Sequence, residues 1–382
     1  MTTTHWVHAG VDALFGINKL IGDGTDLRVW TRDDPPLAGV SPELQRRYEP
    51  EALWKAVEPG DIIIAPRPTD LAVARLAMDR GAHLAVGWHV SPELTEAVSS
   101  AAEKELSVLS EVGMVPGIDH LMARDLVNDY SQNAEPEDVL HFTSYGGGMP
   151  KHPDNFRHKF NISPLSLLNS LATPTSWIED GQTKRAEFPF DVIRAYDLNL
   201  PTPERHQVYP YYDIDPYLKS YGFDPAWTLS TAERGAIRLK GWNEGWASVF
   251  DSIRQTGKET NALARLAEEL WEEHPFAPGE ADRVVLSVSL RAEQNGKTRW
   301  HKEWVLDDRG GIHGFARFRL QSMMYALAAK ALSANEIKPG LHIGPTAPHL
   351  IASWLVEITN EARYSRRINH LREEEPQMGL AS

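Results

Sequence analysis

The residues with the clearest chemical spacing stand near the amino end, in THWVHAGVDALFG, residues 4 to 16. A short apolar strand there runs into a tight turn and then a helix, the arrangement in which G-x-G-x-x-G/A holds a dinucleotide's pyrophosphate against the first amides of a helix. Gly10 and Ala13 keep the second and third positions of that pattern, and His8 takes the first. Histidine enters unusual backbone angles more readily than a β-branched residue, so the turn remains possible under strain. Either His8 is a tolerated variant whose imidazole reaches a phosphate, or it blocks entry. The next strand, LRVW, leads into Arg32, Asp33 and Asp34. An arginine at that place accommodates the 2′-phosphate of NADP, whereas an acid bonds the 2′-hydroxyl of NAD. Arg32 therefore points to NADP, unless the three charges form only a solvated turn.

Two further candidates are suited to proton handling. His89, in GWHVSP, brings an imidazole whose ordinary pKa of about 6.5 suits acid–base work near neutrality. Asp119 opens the helical pattern DHLMARDLV, where a carboxylate at the N-cap is favoured by the helix dipole. The chain has 15 histidines. The pairs at 5 and 8 and at 152 and 158 lack well-spaced carboxylates, so no metal is expected. Neither a nucleophile elbow nor a Walker loop occurs, which disfavours acyl transfer and phosphate hydrolysis.

The elements that must position these residues follow from the pattern. At 382 residues, 42% hydrophobic and 24% charged, the chain has material for a large core and two domains. A formal charge of -14 argues against a nucleic-acid partner. Cysteine is absent, which excludes disulfides and thiolate sites. No apolar segment has the length of a bilayer span, and the amino end has no signal-like pattern, so a soluble cytoplasmic protein is expected. Strand patterns at HWV, LRVW, DIIIAP, HLAVGW and LSVLSEVG alternate with helical ones, which gives βαβ units and a parallel sheet. The first helix is expected to bury a stripe of Val11, Leu14, Phe15, Asn18 and Ile21.

From about residue 121 the texture becomes antiparallel. DVLHFTSYGGG reads as a strand, SWIEDGQTKRAEF as a hairpin, and residues 283 to 306 as a long hairpin around Asn295 and Gly296. Helices are expected over GFARFRLQSMMYALAAKALS and PHLIASWLVEITNEA, and an irregular, lid-like loop over the Pro-rich stretch from Leu198 to Tyr217. The fold class is α/β: a Rossmann-type domain over 1–120, completed by helices at about 344–372, and an α+β substrate domain with a mixed sheet over 121–343.

The run Glu111, Gly113, Pro116, Gly117, Ile118, Asp119, His120 resembles the E-x-G-x-x-P-G-I-D-H segment of the saccharopine reductase family, the L-glutamate-forming saccharopine dehydrogenases. VSPEL from Val90, FTSYGGGMP from Phe142, KFNISP from Lys159 and AIRLKGW from Ala236 extend the likeness in the family's order. The resemblance implies a Rossmann domain, a substrate domain and a helical insertion, shortened here to about 243–280. It also implies a nicotinamide-dependent oxidation of the secondary amine of an amino-acid conjugate, part of lysine metabolism, in a homodimer. Asp119 then lies beside the substrate, His89 occupies a tyrosine position, Gly146 replaces a cysteine and Arg238 clamps a carboxylate. Ser144, Tyr145 and Lys159 complete the substrate-contact expectation. His8, Ala9, Gly10, Val11, Arg32, Pro66 and Gly113 form the cofactor-contact set, for NADP or NAD. A carboxylated-polyamine dehydrogenase or synthase is the alternative enzyme, and a catalytically silent metabolite binder the alternative class. Substrate charge separates the two enzymes, since a carboxylate needs cationic ligands and a polyamine needs acids.

Overall fold

The computed structural model describes residues 2–32, 36–67, 70–312 and 314–371. The amino-terminal part alternates β1 (Thr4–Ala9), α1 (Leu14–Gly22), β2 (Leu27–Thr31), β3 (Gln45–Arg47), α2 (Pro50–Ala56), β4 (Ile62–Ala65), α3 (Leu71–Arg80), β5 (His83–Val86), α4 (Pro92–Ala97), β6 (Ser107–Ser110) and α5 (Ile118–Ser131). Next come β7 (Val139–Pro150), α6 (Leu165–Leu171), β8 (Thr175–Glu179), β9 (Gln182–Ala186), β10 (Arg194–Leu198), β11 (Glu204–Pro210), α7 (Asp215–Tyr221) and β12 (Thr228–Leu239). The chain continues through α8 (Trp242–Gly245), α9 (Ala247–Thr256), α10 (Thr260–Glu273), β13 (Asp282–Gln294), β14 (Lys297–Arg309), α11 (Ala316–Ser333), β15 (Gly340–Ile343), α12 (Pro348–Glu361) and β16 (Tyr364–Asn369).

The first sheet has the order β15-β6-β5-β4-β1-β2-β3, and its strands pair in parallel. Strands buried on both faces need apolar residues at every position, and the Ile-Ile-Ile-Ala run of β4 supplies them. Alternate side chains then feed two cores: Trp6, Ile62 and Ile64 join one, while Val7, Ile63 and Ala65 join the other. The second sheet runs β10-β11-β12-β7-β13-β14-β16, with β8 on β12 and β9 on β8. It is mixed, because β12 and β7 are parallel while the long hairpin β13–β14 is antiparallel. The alternation and the hairpin signals thus both appear as sheets of the expected kinds.

Several local expectations are corrected. In the first helix Val11 is 69% and Ile21 39% exposed, and the buried stripe is Ala13, Gly16, Ile17 and Leu20. The reason is its partner, α11: the Gly16 amide donates to Ser322 Oγ at 3.1 Å, an approach that small residues allow and the larger ones do not. The stretch from Leu198 to Tyr217 holds strand β11, paired to β10 and β12, and the start of α7, so it is no irregular loop. Its prolines lie at the strand's ends, where no ladder donor is required. Helix α11 and strand β15, placed by sequence in the second domain, belong to the parallel sheet: α11 packs on α1, β4 and β5, and β15 pairs with β6. Conversely β16, within 344–372, pairs with β14 of the mixed sheet. The insertion after β12 forms α8, α9 and α10 around its own cluster of Trp242, Trp246 and Phe250.

A Cβ at Gly16 would stand 2.1 Å from the Ser322 carbonyl oxygen and 2.6 Å from the Trp6 ring. Gly16→Ala should therefore force α1 off α11 and lower stability by about 1–3 kcal/mol, despite alanine's better helix propensity. A urea unfolding series on both proteins checks this.

Candidate active site

The segment joining β6 to α5 builds the site's polar heart. Gly117 has φ 149°, and a Cβ there would stand 1.9 Å from the Gly113 carbonyl oxygen, so only glycine closes this turn. The helix starts from Gly117 as its N-cap, which moves Asp119 from the expected cap into the first turn. Its Oδ1 accepts the Gly117 amide at 2.7 Å, and its Oδ2 accepts Nε and a terminal nitrogen of Arg234 at 3.0 and 2.7 Å. Both side chains are buried, and the Arg234 guanidinium lies 4.5 Å from the Tyr217 ring centre. Burial alone would push the Asp119 carboxyl up, but Arg234, His120 and the Gly117 amide outweigh it and hold it below its ordinary value. Burial likewise opposes the charge on Arg234, and Asp119 with the nearby tyrosines holds the guanidinium protonated.

Glu111, just after β6, is buried and organises two histidines. One oxygen, Oε2, lies 2.8 Å from His120 Nε2 and 3.3 Å from His89 Nδ1, while Oε1 accepts the Val90 amide at 3.2 Å. Helix α7 closes the set with tyrosines one turn apart. Tyr221 Oη is 2.8 Å from His120 Nδ1, and Tyr217 Oη is 2.9 Å from His89 Nδ1. Against the upward push of burial, the bonds from the two histidines keep Glu111 far below the carboxylate range. For His89 burial wins over Glu111, so its imidazole is neutral at pH 7. Its Nε2 is buried with no hydrogen-bond partner among the described residues.

Beside this network lies a cavity of about 150 Å³ whose wall includes Arg238, Arg317, His158, Tyr211, Gly146 and Ser170. Tyr211 connects the two, with its ring 6.1 Å from that of His89 and 5.9 Å from the Arg234 guanidinium. Arg238 donates to the Ile237 carbonyl and to Tyr209 Oη, both at 3.0 Å. No carboxylate lines this cavity among the described residues.

The turn after β1 answers the steric question posed by His8. Its φ is 54°, in the left-handed region that glycine ordinarily fills. The ring is buried, 4.1 Å edge-on from Tyr48, with Nδ1 2.7 Å from Asp70 Oδ1 in a close charge contact that lacks hydrogen-bond alignment. His8 Nε2 has no partner among the described residues. Gly10 is extended, and the Ala13 amide donates to its carbonyl at 2.9 Å. Val11 projects outward and Ala9 is buried at the end of β1. Asp12, in the same turn, has its carboxyl pushed up by burial against the pull of Arg67 and Arg317.

Gly146 and Arg238 thus line the cavity, Asp119 and His89 belong to the network beside it, and Gly113 lies in the turn before α5. The Pro66 carbonyl, at the end of β4, faces the Tyr325 hydroxyl at 3.5 Å. Three expected contacts lie elsewhere. Tyr145 packs among Val208, Ile237 and Val285 and accepts from Arg194 at 2.7 Å, because it points to the strand face opposite Gly146. Lys159 is held by Glu280 at 2.5 Å, and Ser144 is buried with its Oγ unpartnered among the described residues. Arg32 is exposed at the end of β2, and its neighbours Asp33 and Asp34 lie outside the described residues. Sequence reasoning gave no role to Glu111, His120, Arg234, Tyr217 or Arg317. Arg234 was findable: Arg234 and Arg238 stand four apart in the apolar strand AERGAIRL, hence on one face. Among the described residues no group of three or more His, Asp or Glu could hold a metal ion, and no helix is long and apolar enough to cross a membrane.

A parallel sheet joined to a mixed sheet, with a buried acid–arginine pair where they meet, defines a two-domain α/β protein. The chain belongs to the saccharopine dehydrogenase C-terminal domain family, whose model matches residues 113–362. It is 28% identical over 229 residues to the mitochondrial alpha-aminoadipic semialdehyde synthase of Rattus norvegicus, covering 56% of this chain and 23% of that protein. The NADP⁺-dependent, L-glutamate-forming saccharopine dehydrogenase of Pyricularia oryzae is 28% identical over 249 residues, 64% of this chain and 52% of the relative. The chain therefore spans about a quarter to a half of these relatives' lengths. In fold it is similar to apo saccharopine dehydrogenase (L-Glu forming) of Saccharomyces cerevisiae, with a TM-score of 0.77 at 19% identity over 97% of this chain and 100% of that one. It is also similar to the homospermidine synthase of Legionella pneumophila, with a TM-score of 0.62 at 10% identity over 99% and 93%.

Removing Asp119's charge leaves Arg234 buried and uncompensated. Asp119→Asn should cost about 3–5 kcal/mol, whereas Asp119→Leu combined with Arg234→Met should cost less than the sum of the single changes. Denaturant midpoints of the wild type, Asp119→Asn, Asp119→Leu, Arg234→Met and the double variant measure it. Because the folded Asp119 pKa is depressed, the pair's contribution is complete above the ordinary value of 3.8 and is lost as pH falls through the folded one.

Proposed function

We propose that the protein is an NADP(H)-linked oxidoreductase acting on the C–N bond of a carboxylated amino-acid conjugate of the saccharopine type. The observation that carries this reading is the cavity beside Tyr211. It presents two arginines and a histidine and, among the described residues, no acid. That lining suits a carboxylate and disfavours a polyamine, whose cationic groups would need acids there.

The turn after β1 fits a dinucleotide pyrophosphate. His8 holds the left-handed angle the turn requires, and its buried Nε2 lacks a partner, as a phosphate-facing atom would before binding. Burial pushes the Asp12 carboxyl up from its ordinary value against Arg67 and Arg317, which weakens the repulsion it would offer a phosphate. His8, Ala9, Gly10 and Val11 would hold the pyrophosphate, and Arg32 a 2′-phosphate. The bound nicotinamide supplies the hydride chemistry.

The remaining work falls to the chain's own groups. Arg238 orients the substrate by a carboxylate. His89 is positioned through Nδ1 by Tyr217 and Glu111, which leaves Nε2 as the atom to take a proton from the amine or from the water that hydrolyses the imine. Asp119 and Arg234 fix the wall behind it. The exposed Val11 and Ile312, beside Phe15, Phe315 and Phe318, support a homodimer. A charge of -14 supports small-molecule rather than nucleic-acid partners, and the lack of cysteine accords with a cytoplasmic setting.

A screen of amino-acid conjugates, saccharopine first, against both cofactors at the reduced nicotinamide band tests the reading. No turnover together with no cofactor binding at millimolar concentration would identify a silent metabolite binder. In the active protein Arg238→Ala should raise the KM for the conjugate about 10- to 100-fold and leave the cofactor constant unchanged. His89→Gln should lower kcat by about 10²–10⁴-fold. The acid limb of wild-type kcat/KM should lie below pH 6.5, because burial lowers the His89 pKa and the base stays neutral further down the scale.

A further inference from the structure

The cavity that the proposed reading assigns to a carboxylate holds three buried nitrogens whose protonation that reading leaves open. Arg238 Nε, Arg317 Nε and His158 Nδ1 are all buried there, and none has a hydrogen-bond partner among the described residues. Buried donors are rarely left unmade without a function. Asp12, in the turn after β1, is within electrostatic reach of Arg317, and two further acids are engaged by other donors. Asp282 accepts the amides of Ala316 and Arg317 at 2.7 and 3.0 Å, and Glu280 is paired with Lys159. Neither Arg238 nor Arg317 forms an ion pair among the described residues. His158 sits edge-on against Phe160 and Trp246, with ring centres 4.9 and 5.5 Å away.

We propose that Arg238, Arg317 and His158 form a proton-coupled carboxylate subsite, in which entry of the carboxylate brings one proton from solvent onto the His158 imidazole. The inference rests on the reading above for the substrate's position only. The step balances: the resident neutral imidazole, the entering carboxylate and one proton from bulk solvent give an imidazolium–carboxylate pair beside two guanidinium groups.

The charges facing His158 set the sign. From β12 comes Arg238, from α11 Arg317, and from the segment after α10 His274. Asp282 of β13 is within the adjoining space, and Lys159 is its neighbour in the chain. Burial, then the two arginines, keep the empty site's imidazole neutral well below its ordinary range. A carboxylate reverses the local field, favours the charged ring and gains a third donor. The histidine then acts as a gate: an anion is held by three cations, while the empty cavity never has to keep three charges together.

Titration calorimetry on the full chain tests this with glutarate as the carboxylate probe, inorganic phosphate as the alternative oxyanion and 1,5-diaminopentane as the cationic counterpart. Glutarate should bind with net proton uptake, read from two buffers of different ionisation enthalpy, and its affinity should rise up to about tenfold per unit fall in pH around neutrality. His158→Gln should abolish the uptake and the pH slope while keeping binding, and Arg317→Gln should weaken binding by at least about tenfold. Matching melting temperatures establish that the variants are folded, and the wild-type uptake decides the matter without them. Absence of glutarate binding at millimolar concentration, a pH-flat affinity, uptake retained in His158→Gln, or tighter binding of phosphate or of the diamine overturns the proposal. Proton-coupled glutarate binding in a chain without turnover would remove the proposed reaction and keep this subsite.

Discussion

The Asp119–Arg234 pair is the interaction on which the rest of the structure depends. It fastens the first turn of α5, which leaves the parallel sheet, to β12, a central strand of the mixed sheet. Two charges removed from water rarely gain net stability over an apolar pair, because desolvation offsets their attraction. Their value is geometric. Two guanidinium donors converging on one carboxylate oxygen, whose partner oxygen is held by the Gly117 amide, allow few arrangements, whereas two apolar side chains allow many, so the pair favours one register of the two sheets.

That register places the other groups. With α5 fixed, His120 faces Glu111 and Tyr221, and Glu111 holds His89 from the opposite side. With β12 fixed, Arg238 stands four residues beyond Arg234 and reaches the cavity rather than the acid. The strand's period of two keeps both on one face, and its rise separates their tasks. One arginine is neutralised and structural, while the other remains available to a ligand.

The cleft is correspondingly divided by charge. Around Glu111 and Asp119 each acid has cationic or imidazole partners, and the tyrosines of α7 close the network from water. Beside the His158 imidazole, the guanidinium groups of Arg238 and Arg317 have no acid within the lining among the described residues. A fold usually avoids such an imbalance, since buried charges without partners are costly. Its presence in a cavity beside the Asp119–Arg234 pair is what supports the proposed reading of this region as a binding site rather than a core.

The sequence by itself determined the two kinds of sheet, because periods of two and 3.6 and continuous apolar runs are local properties of the chain. It also marked the turn at His8 and Gly10 by spacing, and the P-G-I-D-H segment and Arg238 by their resemblance to the saccharopine reductase family. Tertiary structure alone decided which helix face is buried, since Gly16 had to meet Ser322 more than 300 residues away. It also decided that α11 and β15 return to the first sheet, and that Lys159 is consumed by Glu280. Arg234 comes to Asp119 from β12, 115 residues along the chain, and Arg317 comes into the same cavity wall as His158 from α11. No local pattern encodes such distances, because pairing across the cleft is fixed only when both sheets have closed upon it.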